Sequence, residues 1–352
     1  MDVVKVLRYK HNPILIPSDI KPTRDDFEVV CTFNAGVARF GDETIMLVRV
    51  AERPTQDHEN ITFPVFDSET GETVVLRFRR DDPEVDLSDP RIIRHGAEFY
   101  LTSLSHLRIA RSSDGLHFVP ESRPALTARE HYEAYGVEDP RITEIDGTYY
   151  IAYVGASPHG ICTCLATTTD FKEYKRLGRI FVPDNRDVCI FPQRFDGRFA
   201  AYHRPSPRYI GRPEMYFAYS PDMLHWGEHY NVLTPGLEEW DEGRVGGGAP
   251  PLRTEKGWLS IYHAATVNNV YCLGAMLTEL DAPYRIIARS KHPLLRPEAA
   301  YEVRGFFRNV VFACGVTLDG DLLRIYYGGA DTVMAIAQVS LAELLDHLLA
   351  GG

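Results

Sequence analysis

The chain has 352 residues and a formal net charge of −11, with acidic and basic residues interleaved along it. No broad basic face is predicted, which argues against nucleic-acid binding, and no apolar run reaches the length of a membrane span. No Pro- or Ser-rich linker divides the sequence, so we expect a single domain, residues 1–352. Residues 1–5 lack the charged and apolar regions of a signal peptide, and we expect a cytoplasmic protein.

A short sequence pattern, or phrase, recurs along the chain. A polar or small cluster opens a short apolar strand, a Gly or Asp-Gly turn follows, and a second, often aromatic strand comes next. Six copies pair residues 34–37 with 45–49, 89–92 with 99–101, 136–142 with 146–151, 189–192 with 199–204, 245–248 with 258–263, and 313–316 with 322–327. Their spacing of roughly 50 to 65 residues is typical of propellers and repeat arrays.

Turns and outer strands repeat as well. Asp-Gly pairs at residues 146–147, 196–197 and 319–320 predict tight hairpins. Similar phrases at residues 110–114, 166–170 and 218–222 indicate equivalent outer strands. Only residues 341–349 have a helical period, which predicts one short amphipathic helix at the C-terminus. We therefore predict an all-β propeller; the alternative is a β-sandwich with similar turn spacing.

The cysteines and the glycine run are both predicted to have structural roles. Six cysteines are scattered, and Cys162 and Cys164 are predicted to share one face of a strand. We expect small buried hydrophobes rather than metal ligands or a disulfide. The Gly-Gly-Gly run at residues 246–248 lacks the Lys-Ser/Thr of a nucleotide loop. It is expected to let inner strands crowd together where side chains would collide.

Polar residues stand at the positions that a propeller brings to its axis. The first residues of the inner strands include Asn34, Asp89, Asp139, the region of Asp187, Arg244 and Asp331, and the ends of the second strands add Arg49, His203, Arg204 and His263. Carboxylates and amides bind sugar hydroxyls, and arginines bind phosphate oxygens in a bidentate way. The predicted pocket suits a polyol substrate with an anionic partner.

Each of these residues alone also has a structural interpretation. Asp139 could cap a strand-entry turn. The Asp-Pro-Arg tripeptide occurs twice, at Asp89 and Asp139, and no more than one of the two copies is expected to be catalytic. The histidines could be structural, and the arginines could form ion pairs. A sugar hydrolase needs two carboxylates, whereas a phosphorolytic enzyme needs one acid and a phosphate site. The pairs His203-Arg204 and Tyr262-His263 favour phosphate as the nucleophile.

At these residues the chain resembles glycoside hydrolase family 130, the β-mannoside phosphorylases. The resemblance runs from residue 12 to the terminal helix, and is strongest to members that act on 1,2-β-mannobiose. It is carried by residues 33–36, 136–141, 202–205, 246–251, 262–263 and 326–331. The family implies a five-bladed β-propeller, although six phrases are present. Because family members pass almost directly from the strand ending at Arg49 to a segment like residues 105–111, we interpret residues 52–103 as an insertion in the first blade. Asp89 is then not expected to be catalytic.

The resemblance also implies roles and a reaction. Asp139 matches the general acid, which in some members acts through the mannose 3-hydroxyl; Asn34, Arg49 and Asp331 match mannose-binding residues; and His203, Arg204, Arg244 and His263 match the phosphate site. Arg244 stands where many members carry Lys, so charge is kept but geometry differs. The expected reaction is inverting phosphorolysis of β-mannosides, with β-1,2-mannobiose or short β-1,2-mannooligosaccharides as substrates and α-mannose 1-phosphate as product. Inorganic phosphate is the co-substrate, and no cofactor or metal is expected.

Three alternatives remain open at this point. They are a phosphorylase for a β-1,4-mannoside, a β-mannosidase that uses water, and a non-catalytic sugar-binding propeller. The expected partners are a small manno-oligosaccharide and phosphate, with neither nucleic acid nor membrane. A homo-oligomer is compatible with the sequence.

Overall fold

The computed structural model describes residues 4–236 and 240–351. Residues 1–3, which begin the segment considered for a signal peptide, lie outside the described residues, as do residues 237–239 and 352. Helix in the described residues is confined to α1 (Ala300–Val303), α2 (Leu341–Leu349) and two short 3-10 turns (Pro17–Asp19 and His131–Glu133). None of the described helices is both long enough and apolar enough to span a membrane.

The described chain is otherwise built from strands, which confirms the all-β prediction. In chain order they are β1 (Leu7–Arg8), β2 (Phe27–Phe40), β3 (Glu43–Pro54), β4 (Asn60–Asp67), β5 (Glu72–Arg79), β6 (Val85–Asp86), β7 (Ile92–His95), β8 (Glu98–Leu101), β9 (Leu104–Ser112), β10 (Val119–Pro120), β11 (Gly136–Ile145), β12 (Thr148–Ser157), β13 (Gly160–Thr168), β14 (Lys175–Phe181), β15 (Asn185–Ile190), β16 (Phe199–Pro205), β17 (Met215–Ser220), β18 (Gly227–Leu233), β19 (Arg244–Gly247), β20 (Leu252–Thr254), β21 (Gly257–Ala265), β22 (Tyr271–Thr278), β23 (Ile286–Arg289), β24 (Val311–Asp319), β25 (Leu322–Gly329) and β26 (Val333–Ser340).

Most strands belong to five antiparallel units of four or five strands. The units are β2-β3-β9-β10, β11-β12-β13-β14, β15-β16-β17-β18, β19 and β20 with β21-β22-β23, and β24-β25-β26-β1. The first two units are joined into one sheet through a single parallel pair, Gly136 with Ser105. Most neighbouring strands within the units are consecutive in the chain, as the hairpin signals predict; the exceptions are β3 with β9, β19 with β21, and β26 with β1.

The last unit is completed by the N-terminal strand. Leu7 lies opposite Gln338 in β26. The side chain of Asn12 donates to the carbonyl of Ile336 at 2.8 Å and accepts from its N–H at 2.9 Å. The two ends of the described chain are therefore fixed in one sheet.

Between β3 and β9 the chain leaves the first unit. The two strands pair directly, with Ala51 opposite Ser105, while β4–β5 and β6–β7–β8 form two small separate sheets. These sheets share an apolar cluster around Ile61, Phe63 and Ile93. The repeat copy that begins at Asp89 thus leads into a small sheet, so only five copies contribute to the larger units.

The outer-strand phrases fold into equivalent turns. Asp114, Asp170 and Asp222 each place Oδ1 where it accepts the backbone N–H groups two and three residues further on, at 2.8–3.0 Å. Such Asx turns hold the chain in a tight reversal. A shared local hydrogen-bond pattern therefore underlies the sequence repeat.

The expectations for the terminal helix and the cysteines are confirmed. Helix α2 spans Leu341–Leu349, and the Ser340 hydroxyl accepts the N–H of Glu343 as its N-cap. All six cysteines are buried and free of disulfides. Cys162 and Cys164 lie side by side, with their sulfur atoms 3.8 Å apart.

Candidate active site

Three polar residues stand at irregular positions in the first strands of their units. Asn34, Asp139 and Asp187 have left-handed φ values of 49°, 47° and 58°, and each falls where the strand pairing shifts register. Asn and Asp tolerate this backbone region better than most residues. A bulge there bends the strand and redirects its side chains.

These residues surround one cavity of about 420 Å³. Of the residues predicted for the site, the cavity is lined by Asn34, Arg49, Asp139, Arg204, Arg244, His263 and Asp331. Asp187 also lines it, as do Glu138, Arg186, Arg91 and Tyr271, which the sequence reasoning did not single out. Among the described residues, no group of three or more His, Cys, Asp or Glu side chains forms a metal-binding cluster.

Asp139 belongs to a hydrogen-bonded cluster on β2, β3 and β11. Its Oδ1 accepts from Arg49 Nη1 at 3.0 Å and from Asn34 Nδ2 at 3.1 Å. Arg49 also donates through Nη2 to Glu138 at 2.6 Å and through Nε to Ser105 at 3.0 Å. With this many partners, the Arg49 fork is fixed, and it orients the Asp139 carboxyl in turn.

Burial changes proton affinity in this cluster. Burial raises the pKa of Glu138, although the charge of Arg49 opposes the rise. Burial likewise raises the pKa of Asp331 to about 7, again against the charge of Arg49. Desolvation disfavours the charged form of a carboxyl. The acidic part of the cavity can therefore carry a proton near neutral pH.

Asp187 is the centre of a second, buried cluster. Its carboxylate lies 2.7 Å from Arg204 Nε, 3.1 Å from Arg141 Nη2 and 3.5 Å from His263 Nε2. Burial opposes ionisation, but Arg204, His263 and Arg141 together hold the pKa of Asp187 far below its usual range. Burial lowers the pKa of His263 to about 3, so this imidazole is neutral at neutral pH.

Arg244 is oriented by neutral partners. Its Nη1 donates to the Tyr271 hydroxyl at 2.7 Å, and its Nη2 donates to Asn269 Oδ1 at 2.5 Å. These contacts fix the guanidinium without neutralising it. Arg186 lines the same cavity, and its buried Nε has no hydrogen-bond partner in the described structure.

The structure keeps two sequence candidates away from the cavity surface. His203 is 4% exposed and lies outside the cavity lining, between Asn185 and His229, each 2.9 Å from one of its ring nitrogens. Burial lowers the pKa of His203 to about 3. Asp89 does not line the cavity, although its partner Arg91 does.

Two of the residues that the sequence reasoning missed, Glu138 and Arg186, line the cavity for the same physical reason. Strict alternation along β11 and β15 would turn Glu138 and Arg186 away from the face of Asp139 and Asp187. The left-handed backbone at Asp139 and Asp187 breaks this alternation, so both members of each pair line the cavity. An Asp that interrupts a strand pattern is the signal that could have found them.

The glycine run gives the Asp187 cluster its space. A Cβ on Gly246 would lie 2.6 Å from His263 Cε1, 2.8 Å from Asp187 Oδ2 and 2.9 Å from Arg204 Cδ. A Cβ on Gly247 would lie 2.6 Å from the sulfur of Cys189. The expectation that the run permits close approach of strands is confirmed.

The sequence matches a carbohydrate-active family. The sequence model of glycoside hydrolase family 130, described as β-1,4-mannooligosaccharide phosphorylase, matches residues 102–349. The chain belongs to this family.

Individual relatives are named as phosphorylases. A β-1,2-mannobiose phosphorylase of Listeria innocua is 44% identical over 350 residues, covering 98% of this chain and 99% of that protein. Its structure in complex with β-1,2-mannobiose has a TM-score of 0.95 over 98% of this chain and 99% of that one. A 1,2-β-oligomannan phosphorylase of Thermoanaerobacter is 39% identical over 244 residues, covering 68% of this chain and 80% of that protein.

Proposed function

We propose that the protein catalyses inverting phosphorolysis of β-mannosides by inorganic phosphate. The substrates are β-1,2-mannobiose or short β-1,2-mannooligosaccharides, and the products are α-mannose 1-phosphate and a sugar shorter by one mannose. One observation carries the proposal: a single cavity combines a fixed carboxyl, Asp139, with the cations Arg204 and Arg244. The chain is also 44% identical, over 98% of its length, to a β-1,2-mannobiose phosphorylase.

Asp139 is assigned as the general acid. It protonates the leaving glycosidic oxygen, directly or through the mannose 3-hydroxyl, while Asn34, Arg49 and Asp331 hold the mannose whose bond breaks. The contacts of Asp139 with Arg49 and Asn34 support this assignment, because they fix the carboxyl before substrate arrives. Positioned proton transfer of this kind contributes about 10²–10⁴-fold to rate.

Phosphate is assigned to Arg204, Arg244 and His263, with Arg186 as a further cation. Phosphate attacks the anomeric carbon on the face opposite the leaving oxygen, which inverts the configuration. Two arginines can hold phosphate oxygens in a bidentate way, and the neutral His263 imidazole can donate a hydrogen bond. Holding the nucleophile in place removes much of the entropic barrier to attack.

His203 is given an indirect part in the phosphate site. Its ring contacts Asn185, which begins the strand that carries Arg186 and Asp187. We assign His203 to positioning this strand rather than to direct contact with phosphate.

The main rival is a β-mannosidase, which needs a second carboxylate to activate water. Glu138 and Asp187 line the cavity too, but Glu138 pairs with Arg49 and Asp187 pairs with Arg204 and Arg141. These ion pairs engage both carboxylates, and the surrounding cations hold the pKa of Asp187 far below its usual range. Neither group is free to activate water, which favours phosphorolysis. A phosphorylase for β-1,4-mannosides is the second rival, because the family model carries that description. A non-catalytic sugar-binding protein is the remotest.

The architecture proposed with this function is a five-bladed propeller in a single domain, residues 1–352, with residues 52–103 inserted in the first blade. Five antiparallel units, the last one completed by β1, support it, as does the direct pairing of β3 with β9. A cytoplasmic location and a homo-oligomer stay predictions.

The test is incubation of purified protein with β-1,2-mannobiose, with and without inorganic phosphate. Phosphate-dependent release of mannose 1-phosphate with the α configuration, read by NMR, is the expected result. Equal release of mannose without phosphate would identify a hydrolase. Turnover of β-1,4-mannobiose alone would show that the enzyme acts on β-1,4 rather than β-1,2 linkages. Tight sugar binding without turnover of either disaccharide would favour a non-catalytic sugar-binding protein.

A further inference from the structure

The segment between β3 and β9 forms two small sheets and also contributes residues to the cavity lining. Arg91, Ile92, Leu101 and Ser103 all line the cavity that holds Asp139. One wall of the candidate active site therefore comes from a part of the chain outside the five antiparallel units. The match to the family model begins only at residue 102, so Arg91 precedes the matched residues.

Arg91 is held in a fixed orientation within this wall. Asp89 Oδ1 accepts its backbone N–H at 2.9 Å and its Nε at 3.0 Å, while Asp89 Oδ2 accepts its Nη2 at 2.7 Å. The guanidinium carbon lies 3.8 Å from the ring centroid of Phe307, which belongs to the loop before β24. One edge and one face of the guanidinium are thus occupied, whereas Nη1 has no hydrogen-bond partner among the described residues.

Position and charge place Arg91 near the cavity mouth, on the carboxyl side. Its side chain is 36% exposed, against 16% for Arg49 and 7% for Arg204. Its charge opposes the burial-driven rise in the pKa of Glu138 and of Asp331. Nearby carboxyls and the Asp89 partner make this a poor place for a phosphate dianion, but a good one for a neutral polyol.

We propose that Arg91 is a specificity-determining residue for the leaving sugar, which is the acceptor in the reverse reaction. Its Nη1 edge donates to hydroxyls of a neutral hexose, and the neighbouring Ile92 and Leu101 contact the C–H face of the ring. Asp89 and Phe307 are positioning residues for this contact. The inference rests on the proposed phosphorolysis, in which Asp331 and Arg49 hold the other sugar deeper in the cavity.

The test compares Arg91→Ala with Arg94→Ala. Arg94 is a matched control because it lies on β7, three residues after Arg91, is exposed and does not line the cavity. Loss of a hydrogen bond from a charged donor predicts a rise of about tenfold or more in KM for β-1,2-mannobiose. In the reverse direction, KM for mannose as acceptor rises similarly. KM for phosphate and for α-mannose 1-phosphate stays at the wild-type value, and Arg94→Ala changes none of these constants.

Two outcomes would overturn the inference: unchanged sugar constants in Arg91→Ala, or a rise in KM for phosphate instead. Arg91→Lys and Asp89→Asn guard against misfolding, since both keep most of the packing. Each is expected to raise the sugar KM with little change in kcat, and a fall in kcat alone would contradict the positioning role of Asp89.

Failure of the proposed function can be told apart from failure of this inference. If the wild-type protein forms no mannose 1-phosphate, phosphorolysis is wrong whatever Arg91 does. Calorimetric titration of mannose into wild type and Arg91→Ala then decides the inference. Weaker binding by the variant alone would support a sugar contact at Arg91, and equal or absent binding by both proteins would overturn it.

Discussion

The sharpest prediction concerns Gly246, where adding one methyl group should damage catalysis although no charged residue is substituted. In Gly246→Ala the new Cβ would lie 2.6–2.9 Å from atoms of His263, Asp187 and Arg204. Those side chains are buried and bound to one another. The methyl group therefore displaces the side chains of the proposed phosphate site without replacing any of them.

The size of the effect follows from these distances. Ordinary carbon contacts begin near 3.4 Å, so the three side chains must withdraw by about 0.5–0.8 Å. Overpacking of this kind costs about 1–3 kcal/mol of folding free energy. A displacement approaching 1 Å in a catalytic site costs about 100-fold in rate. We expect kcat/KM for phosphate to fall by about 100-fold while the protein remains folded.

The assay is initial-rate phosphorolysis with varied phosphate, combined with urea unfolding of the same preparations. Gly227→Ala is the matched control, because nothing lies within 4 Å of a Cβ added there and its φ is not left-handed. If Gly246→Ala retained kcat/KM within a factor of three of Gly227→Ala, the close packing around Asp187 would not position phosphate, and the reasoning would fail.

Three further outcomes are expected. Asp139→Asn should lower kcat by about 10²–10⁴-fold with an unchanged KM for phosphate. The control Asp146→Asn, at a left-handed turn position outside the cavity, should have wild-type rates. Near wild-type phosphorolysis by Asp139→Asn would show that Asp139 is not the general acid. Asp187→Asn should lower the free energy of unfolding by about 3–5 kcal/mol, because it leaves buried arginines without their carboxylate; a urea midpoint like that of wild type would contradict this. Burial raises the pKa of Asp331 to about 7, above its unfolded value, so its contribution to stability is full below about pH 4 and is lost as the pH rises through 7. Urea unfolding at pH 5 and pH 8 should therefore show a smaller loss of stability with rising pH in Asp331→Asn than in wild type, and equal slopes would show that Asp331 ionises normally.

The sequence predicts the hairpins well because local chemistry decides them. Asp146 and Asp196 have the left-handed φ that their Asp-Gly turns require, 53° and 50°. Helix α2 coincides with the predicted residues 341–349 because its cap and its apolar period agree. Such features depend on neighbours within a few residues, which the sequence displays directly.

The walls of the cavity could be predicted only in part. Asn34, Asp139 and Asp187 interrupt apolar strands and so can be recognised. The contribution of Arg91 could not, because it depends on how an irregular segment folds back over a distant loop that carries Phe307. Likewise, nothing in residues 199–204 shows that Arg204 lines the cavity while His203 packs on Phe181, 4.5 Å between ring centroids.

The strand at Leu7–Arg8 has a consequence for the folding of the chain. It completes a sheet whose other strands lie between residues 311 and 340, and the bond between Asn12 and Ile336 joins residues 324 apart. Contacts of such long range form late, since loop closure must precede them. While the chain folds, β26 therefore keeps an unpaired edge until β1 reaches it, and a variant that lacks Leu7–Arg8 would leave that edge open to pairing with other chains.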